Sequence, residues 1–279
     1  MAIELTTKFA PLVDEKFSAE SKTALLCNQD YDFDGAQTVK VYKITTAEMF
    51  DYGRNGKSEG QISRYGDVKD LNATTQSLTL KQDRSFSFVI DAMDEDETGG
   101  ALTAATALER QIREVCIPEY DKYVMGVMAE GAGTKPAATA ITKDNVYLEI
   151  IKGSKVLDEA EVPLEGRVLV VSSDVYFQMK QTKEIVMETE IGQDMKLRGV
   201  IGNLDGMPVV RVPSARVPNG FGFMIAHPCA TVAPKKLTSY ITHMNPPGIS
   251  GTLTEGRLYY DAFVLDNKKM AIYYQAVTQ

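Results

Sequence analysis

Two runs with the period-two alternation of half-buried strands flank a polar stretch punctuated by glycine, and no other feature constrains the fold of this chain as much. Val39 and Val41 alternate with Lys40 and Tyr42, and Leu78 and Leu80 alternate with Thr79 and Lys81. A third run follows at once, with Phe86 and Phe88 alternating with Ser85 and Ser87. Between the first two lie Gly53, Gly56, Gly60 and Gly66, with the turn dipeptide Asn55-Gly56. The pattern predicts a long two-stranded loop whose tip runs from about Met49 to Asn72. An isolated two-stranded ribbon is marginal in water, so one of this length needs a surface to lie on. If the rest of the chain does not supply that surface, another subunit must.

The remainder alternates helix and sheet. The first 24 residues carry charges of both signs, with Phe9, Leu12, Val13 and Phe17 as scattered apolar anchors, and read as an arm lying on something else. From Ala101 to about Glu130, Leu102, Ala105, Leu108, Ile112 and Val115 recur three or four apart, which predicts the longest helix, kinked or split by Pro118 and ended by Gly131-Ala132-Gly133. A second helix is expected over Thr142–Ala160, with Gly153 as a weak point and Pro163 as its stop. Val168-Leu169-Val170-Val171 has the continuous apolar character of a buried central strand, and Ser172-Ser173-Asp174 the character of a helix cap. Gly199-Val200-Ile201-Gly202, Asn203-Leu204-Asp205-Gly206 and Pro208-Val209-Val210-Arg211 read as strand, turn, strand, and Phe221–Ala226 as a further strand. Leu258–Leu265 and Met270–Ala276 flank Asp266-Asn267-Lys268-Lys269 and read as a closing hairpin with a polar turn. No internal repeat is visible, and the order points to an α+β class.

Composition removes whole classes of function. A chain of 279 residues suits one large or two interleaved domains at roughly 150 residues each. Its 44% hydrophobic and 24% charged content is that of an ordinary folded protein. Thirty Lys and Arg against thirty-eight Asp and Glu, net −8, argue against holding nucleic acid by charge neutralisation. No stretch approaches the ~18 apolar residues of a membrane helix, and the N-terminus MAIELTTKFA lacks the basic and apolar regions of a signal peptide, so a soluble protein that engages no membrane is expected. Cys27, Cys116 and Cys229 are odd in number and far apart, which predicts buried, reduced thiols instead of a disulfide framework or a metal clip. His227 and His243 are the only histidines, too few for most nucleophile or metal systems.

Two acidic runs have structural explanations. Asp30-Tyr31-Asp32-Phe33-Asp34-Gly35 opens like a calcium loop, but its twelfth position is Val41, where a bidentate Glu is needed. Asp91, Asp94, Glu95, Asp96 and Glu97 precede a helical stretch and suit its positive pole. Phosphate-cradling, dinucleotide, zinc-protease and nucleophile-elbow motifs are all missing, so neither a catalytic residue nor a cofactor is expected.

The order of parts resembles the major capsid proteins of tailed bacteriophages, in which an N-arm and an extended β-loop precede a long spine helix. Asp83-Arg84-Ser85-Phe86-Ser87-Phe88-Val89-Ile90-Asp91 looks like the strand returning from that loop. Pro163-Leu164-Glu165-Gly166-Arg167-Val168-Leu169-Val170-Val171 is similar to the P-x-x-G-R-x-L-V-V lead into the axial-domain strand. Gly199 to Val210 is similar to that domain's G-x-I-G-x-x-x-G-x-P-V hairpin, and Tyr259 to Asp266 resembles the closing hairpin. The resemblance implies an N-arm over 1–35, the extended loop over 36–90, spine helix and peripheral domain over 91–140, axial domain over 141–250 and a terminal peripheral hairpin over 251–279.

The resemblance also implies a function: self-assembly as pentamers and hexamers into an icosahedral shell around double-stranded DNA held non-specifically. The shell would be built in the host bacterial cytoplasm and would end as the virion capsid, with scaffolding, portal and decoration proteins as further partners. Phe9, Phe17, Arg54, Lys57 and Arg64 are the candidate inter-subunit contacts. Residues 36–90 hold eight basic and six acidic side chains, a balance suited to salt bridges with acidic neighbours. Some relatives join a ribbon lysine to a neighbour's asparagine, but Lys57 lies in polar, glycine-flanked Asn55-Gly56-Lys57-Ser58-Glu59-Gly60, where its amine stays hydrated and protonated, so no cross-link is expected. An encapsulin-type compartment shares the fold, and a small-ligand enzyme on an α+β core would need a deep pocket with convergent polar groups.

Overall fold

The computed structural model describes residues 21–28, 38–44, 48–54, 56, 63–65, 73–97, 103–182 and 200–278. They fall into two compact units, Gly35–Thr79 and the rest of the chain.

The smaller unit is the expected ribbon. Strand β1, Thr38–Ile44, runs antiparallel to β2, Ala73–Thr79, in unbroken register from Thr38 opposite Thr79 to Ile44 opposite Ala73. Val41 and Leu78 are buried while Lys40, Tyr42 and Ser77 are exposed, as period-two alternation requires. The Thr38 and Thr79 hydroxyls share a hydrogen bond of 3.0 Å at its base.

In the larger unit a long helix lies between two sheets. Strands β3 (Gln82–Asp91), β9 (Lys235–Met244) and β10 (Gly251–Tyr260) form an antiparallel sheet in the order β3-β10-β9. Strands β4 (Val168–Ser172), β5 (Val200–Leu204), β6 (Met207–Val212), β7 (Phe221–Ala226) and β12 (Ile272–Ala276) form a second in the order β12-β7-β4-β6-β5. Only β4 and β6 pair in parallel in that sheet. Two short strands, β8 (Thr231–Val232) and β11 (Phe263–Val264), pair with each other. The helices are α1 (Ala92–Glu97), α2 (Ala104–Gln111), α3 (Ile117–Gly131), α4 (Val146–Glu159) and α5 (Ser173–Gln181).

Each layer buries the face its sequence made apolar. From α3, Ile117, Tyr120, Val124, Met125 and Met128 meet Val168, Val170, Val210, Val212 and Met224 of the five-stranded sheet, with Tyr240, Leu258 and Tyr260 of the three-stranded sheet in the same core. The opposite face of the five-stranded sheet, with Leu169, Val171, Val209, Phe223 and Ile225, lies under Val146, Ile150 and Leu157 of α4 and Val175 and Met179 of α5. Because both of its faces are covered, β4 is buried at all five positions, which is why it reads as an uninterrupted apolar run. Ser172 caps α5, its hydroxyl accepting from the Val175 N–H at 3.3 Å. The β5–β6 turn falls at Asp205 and Gly206, both at positive φ (50° and 76°), as a tight hairpin demands.

Four expectations need correction. The break expected at Pro118 takes a form the sequence did not suggest: residues Ile112–Cys116 form a π turn between α2 and α3, in which the Ile117 N–H donates to the Ile112 carbonyl. The widened turn makes room for the proline ring at the start of α3. The acidic run does not merely precede a helix but forms α1 itself, with Asp91 Oδ1 accepting from the Met93 N–H at 2.9 Å. Gly153 is a packing requirement, not a weak point, because a Cβ there would sit 2.9 Å from the Tyr273 ring and 3.0 Å from Ile225 Cδ1.

The fourth correction concerns the closing hairpin expected over 251–279. Its strands separate: β10 pairs with β3 and β9, β11 with β8, and β12 with β7. Tyr273 and Tyr274 on β12 pack toward opposite cores, Tyr273 buried and Tyr274 partly buried, as a place in a doubly covered sheet allows. The 250/251 division moreover falls in the connection between two paired strands, β9 and β10.

One core position is poorly satisfied. Thr254, fully buried on β10, has no hydrogen-bond partner for its hydroxyl among the described residues. Thr254→Val replaces that hydroxyl with a methyl of the same shape and keeps β-branching, so it should stabilise the fold by about 1 kcal/mol. A thermal melt of the purified subunit rising by about 3 °C is the expected readout.

Candidate functional site

The groups that could carry chemistry are engaged in structure. The Cys229 N–H donates to His227 Nδ1 at 3.2 Å, so that nitrogen is the acceptor and Nε2 carries the proton it donates to the Glu165 carbonyl at 3.0 Å. His227 is thus a clamp between two loops. Burial pushes the Cys27 thiol up to about 12 and Cys116 up to about 11, which leaves neither as a nucleophile at neutral pH. All three cysteines are free, with Cys116 buried and the other two partly exposed. Among the described residues no group of three His, Cys, Asp or Glu side chains could hold a metal ion, and no helix is long and apolar enough to cross a membrane.

The larger concavity is an open trough of about 740 Å³ floored by α3, with Tyr123, Gly126 and Val127 along the bottom and Arg84, Glu119, Glu130 and Lys135 at its rim. Two of the cations there are held by neighbours: Arg84 Nε donates to Glu119 at 2.7 Å, and Lys135 Nζ donates to the Glu130 carbonyl at 2.7 Å. A second cavity of about 350 Å³ lies between Ser172, the start of α5 and the 214–221 loop. The Ser172 hydroxyl at its wall accepts from the Val175 N–H and so caps α5.

The ribbon unit is different in kind. Its tip is closed by backbone bonds from the Gly53 N–H to the Arg64 carbonyl at 2.9 Å and from the Gly56 N–H to the Gly53 carbonyl at 3.2 Å. The Tyr52 and Tyr65 rings meet edge to face at 5.0 Å. Met49 is 99% exposed and Tyr65 78%, and Tyr42, Phe50 and Tyr52 are also exposed. Five large apolar or aromatic side chains face solvent on this small unit. The tip crossing brings Arg54 and Arg64 onto this same exposed end. Phe9, Phe17 and Lys57 lie outside the described residues, as does the Asp30–Gly35 run. Sequence reading weighed the ribbon's charges and overlooked its aromatic residues, although Tyr52 and Tyr65 were visible as apolar residues stranded in a polar loop.

Comparison with known proteins gives the family. The profile of the family described as "Phage capsid protein" matches residues 73–274. This chain belongs to the phage capsid protein family. Its members are structural proteins, and this capsid protein is likewise a component of a shell and not an enzyme. No curated protein matches it in sequence. Among solved structures it is similar to one from Mycobacterium phage Che8, at 20% identity and a TM-score of 0.70, over 92% of this chain and 90% of that one. The capsid of cyanophage P-SCSP1u matches at 11% identity and a TM-score of 0.63, over 88% of this chain and 84% of the other. The virus-like particle of Pyrococcus furiosus matches at 11% identity and a TM-score of 0.57, over 98% of this capsid protein and 100% of the other chain. At these identities the likeness is one of fold.

Proposed function

We propose that this capsid protein assembles as pentamers and hexamers into an icosahedral shell that encloses double-stranded DNA. The observation that carries the reading is the ribbon: a two-stranded unit with Tyr42, Met49, Phe50, Tyr52 and Tyr65 exposed, a surface fitted to a neighbouring copy of the chain. Head-to-tail contacts between identical subunits close into rings, and rings of five and six make a curved shell. In this reading residues 1–35 act as the N-arm, 36–90 as the extended loop and the helix through α2 and α3 as the spine. The 141–250 segment supplies the axial domain, and Phe9, Phe17, Arg54, Lys57 and Arg64 lie at subunit contacts. Scaffolding, portal and decoration proteins complete the particle, which forms in the bacterial cytoplasm.

The first 24 residues carry Lys8, Lys16 and Lys22 against Glu4, Asp14, Glu15 and Glu20, a net −1, so DNA enters a preformed shell and meets its wall non-specifically. Negative-stain imaging and sedimentation of the purified protein, with its scaffold supplied, should show closed shells; a stable monomer or dimer alone rejects the reading. An encapsulin-type compartment is the second reading, favoured by the likeness to the Pyrococcus furiosus particle along the whole of both chains. Shells that hold a protein cargo and no DNA would decide for it.

The ribbon contact has its own test. Each exposed ion pair contributes little alone, so the contact acts through repetition around a ring. The triple variant Arg54→Glu, Lys57→Glu and Arg64→Glu should therefore abolish shells while its thermal melt as a subunit stays within a few degrees of wild type. Normal shells from that variant would remove the ribbon charges from the contact.

A further inference from the structure

The described chain begins in a buried polar knot. Asp121 on α3 is fully buried, one helical turn from the core residues Ile117, Val124 and Met125. Its carboxylate accepts from the Ser21 hydroxyl at 2.6 Å, the Thr23 hydroxyl at 3.0 Å and the Lys22 N–H at 3.1 Å, and it pairs with Arg216 Nη1 at 3.2 Å. The segment is held again a few residues on, where Leu26 is fully buried and the Asn28 N–H donates to the Thr231 carbonyl at 2.8 Å.

A carboxylate without partners in such a place is costly, and an apolar side chain would fill it at least as favourably. Three of its four partners come from residues 21–23. The carboxylate and this short segment therefore need each other, and what the charge adds over an apolar residue is a fixed position for the chain that leaves from Ser21.

We propose that Asp121 is a latch that fixes the departure point of the amino-terminal arm, and that shell assembly depends on it. This rests on the assembly reading above. The twenty residues before Ser21 reach up to about 70 Å if extended, enough to strap onto a second copy of the chain. With the latch closed, the arm starts from one place in one direction. With it open, the arm swings from Leu26 or Asn28, and its effective concentration at the neighbour's surface falls.

The test is the double variant Ser21→Ala and Thr23→Ala, which removes both hydroxyl donors and leaves the Asp121–Arg216 pair in place. Hydrogen exchange of the subunit should accelerate roughly tenfold at residues 21–28, while α3 and both sheets keep their protection. The protein concentration needed for shells should rise roughly fivefold. The conservative exchange Ser21→Thr with Thr23→Ser, which keeps both hydroxyls, should restore both readouts. Unchanged exchange at 21–28, a uniform loss of protection through α3, or a released arm with unaltered assembly would each overturn the proposal. If the wild-type chain forms no shells, the assembly reading is what falls, and the exchange comparison alone then upholds or overturns the latch.

Discussion

Gly251→Ala should cost on the order of 4 kcal/mol, a large share of the ~5 to 15 kcal/mol that holds a typical domain together. Gly251 opens β10 at φ 135°, a backbone conformation that side chains rarely adopt. A Cβ there would lie 2.1 Å from the Ile90 carbonyl oxygen and 2.9 Å from both the Ala92 nitrogen and Asp91 Cα. All three are backbone atoms of the β3–α1 junction, so no side chain can rotate away to relieve the contact. The same glycine closes the β9–β10 connection, its carbonyl accepting from the Asn245 N–H at 2.8 Å and its N–H donating to Asn245 Oδ1 at 3.1 Å. Strain at this point therefore reaches both partners of the central strand. The expected result is a drop of about 10 °C in the subunit's thermal midpoint. A melt within 2 °C of wild type, about 0.8 kcal/mol, would show that the junction gives way easily.

Arg167→Met should be nearly as damaging, for an electrostatic reason. Arg167 is among the largest fully buried side chains, at 1% exposure, and its guanidinium donates to the Pro163 and Val162 carbonyls and to Asp158 Oδ1 at 2.7 Å. It ties the loop after α4 to the start of β4. Methionine fills similar space but leaves two carbonyls without their donor and one carboxylate without its cation. Half of the Asp158 side chain is exposed, so water recovers part of that loss and the cost falls below that of a wholly buried pair, at about 2 to 3 kcal/mol. Chemical denaturation should show the loss as a lower midpoint at unchanged slope. The variant Asp158→Asn, which keeps a hydrogen-bond acceptor, should cost less than half as much; equal losses would assign the effect to Asp158 alone.

The resemblance pointed to Gly166-Arg167 as part of a motif, and the structure supplies the physical content of that motif. Arg167 stands beside a turn at Gly166, whose φ is 84°, and serves as the buried tie just described. Sequence alone could not have shown this, because arginine is ordinarily a surface residue and its burial depends on carbonyls brought together by the loop. Asp121 was hidden in the same way. Within α3 it looks like any polar position of a helix, and only the approach of Ser21 and Thr23, about a hundred residues earlier in the chain, reveals it as a buried acceptor.

What the sequence determined by itself is local. The alternation in β1 and β2, the apolar run of β4, the Ser172 cap and the Asp205-Gly206 turn follow from side-chain periodicity and backbone preference, which act over a few residues. The order of these elements was enough to suggest the capsid family that the profile over 73–274 establishes. What only the tertiary structure decided is pairing between distant strands. Residues 251–279 contain strands of the right length for a hairpin, yet β10 pairs with β3 and β9, β11 with β8 and β12 with β7. Strand propensity states that a segment will pair but not with which partner. That choice belongs to whichever arrangement covers both apolar faces, and for β12 it is the edge beside β7, where Tyr273 and Tyr274 are received by opposite cores.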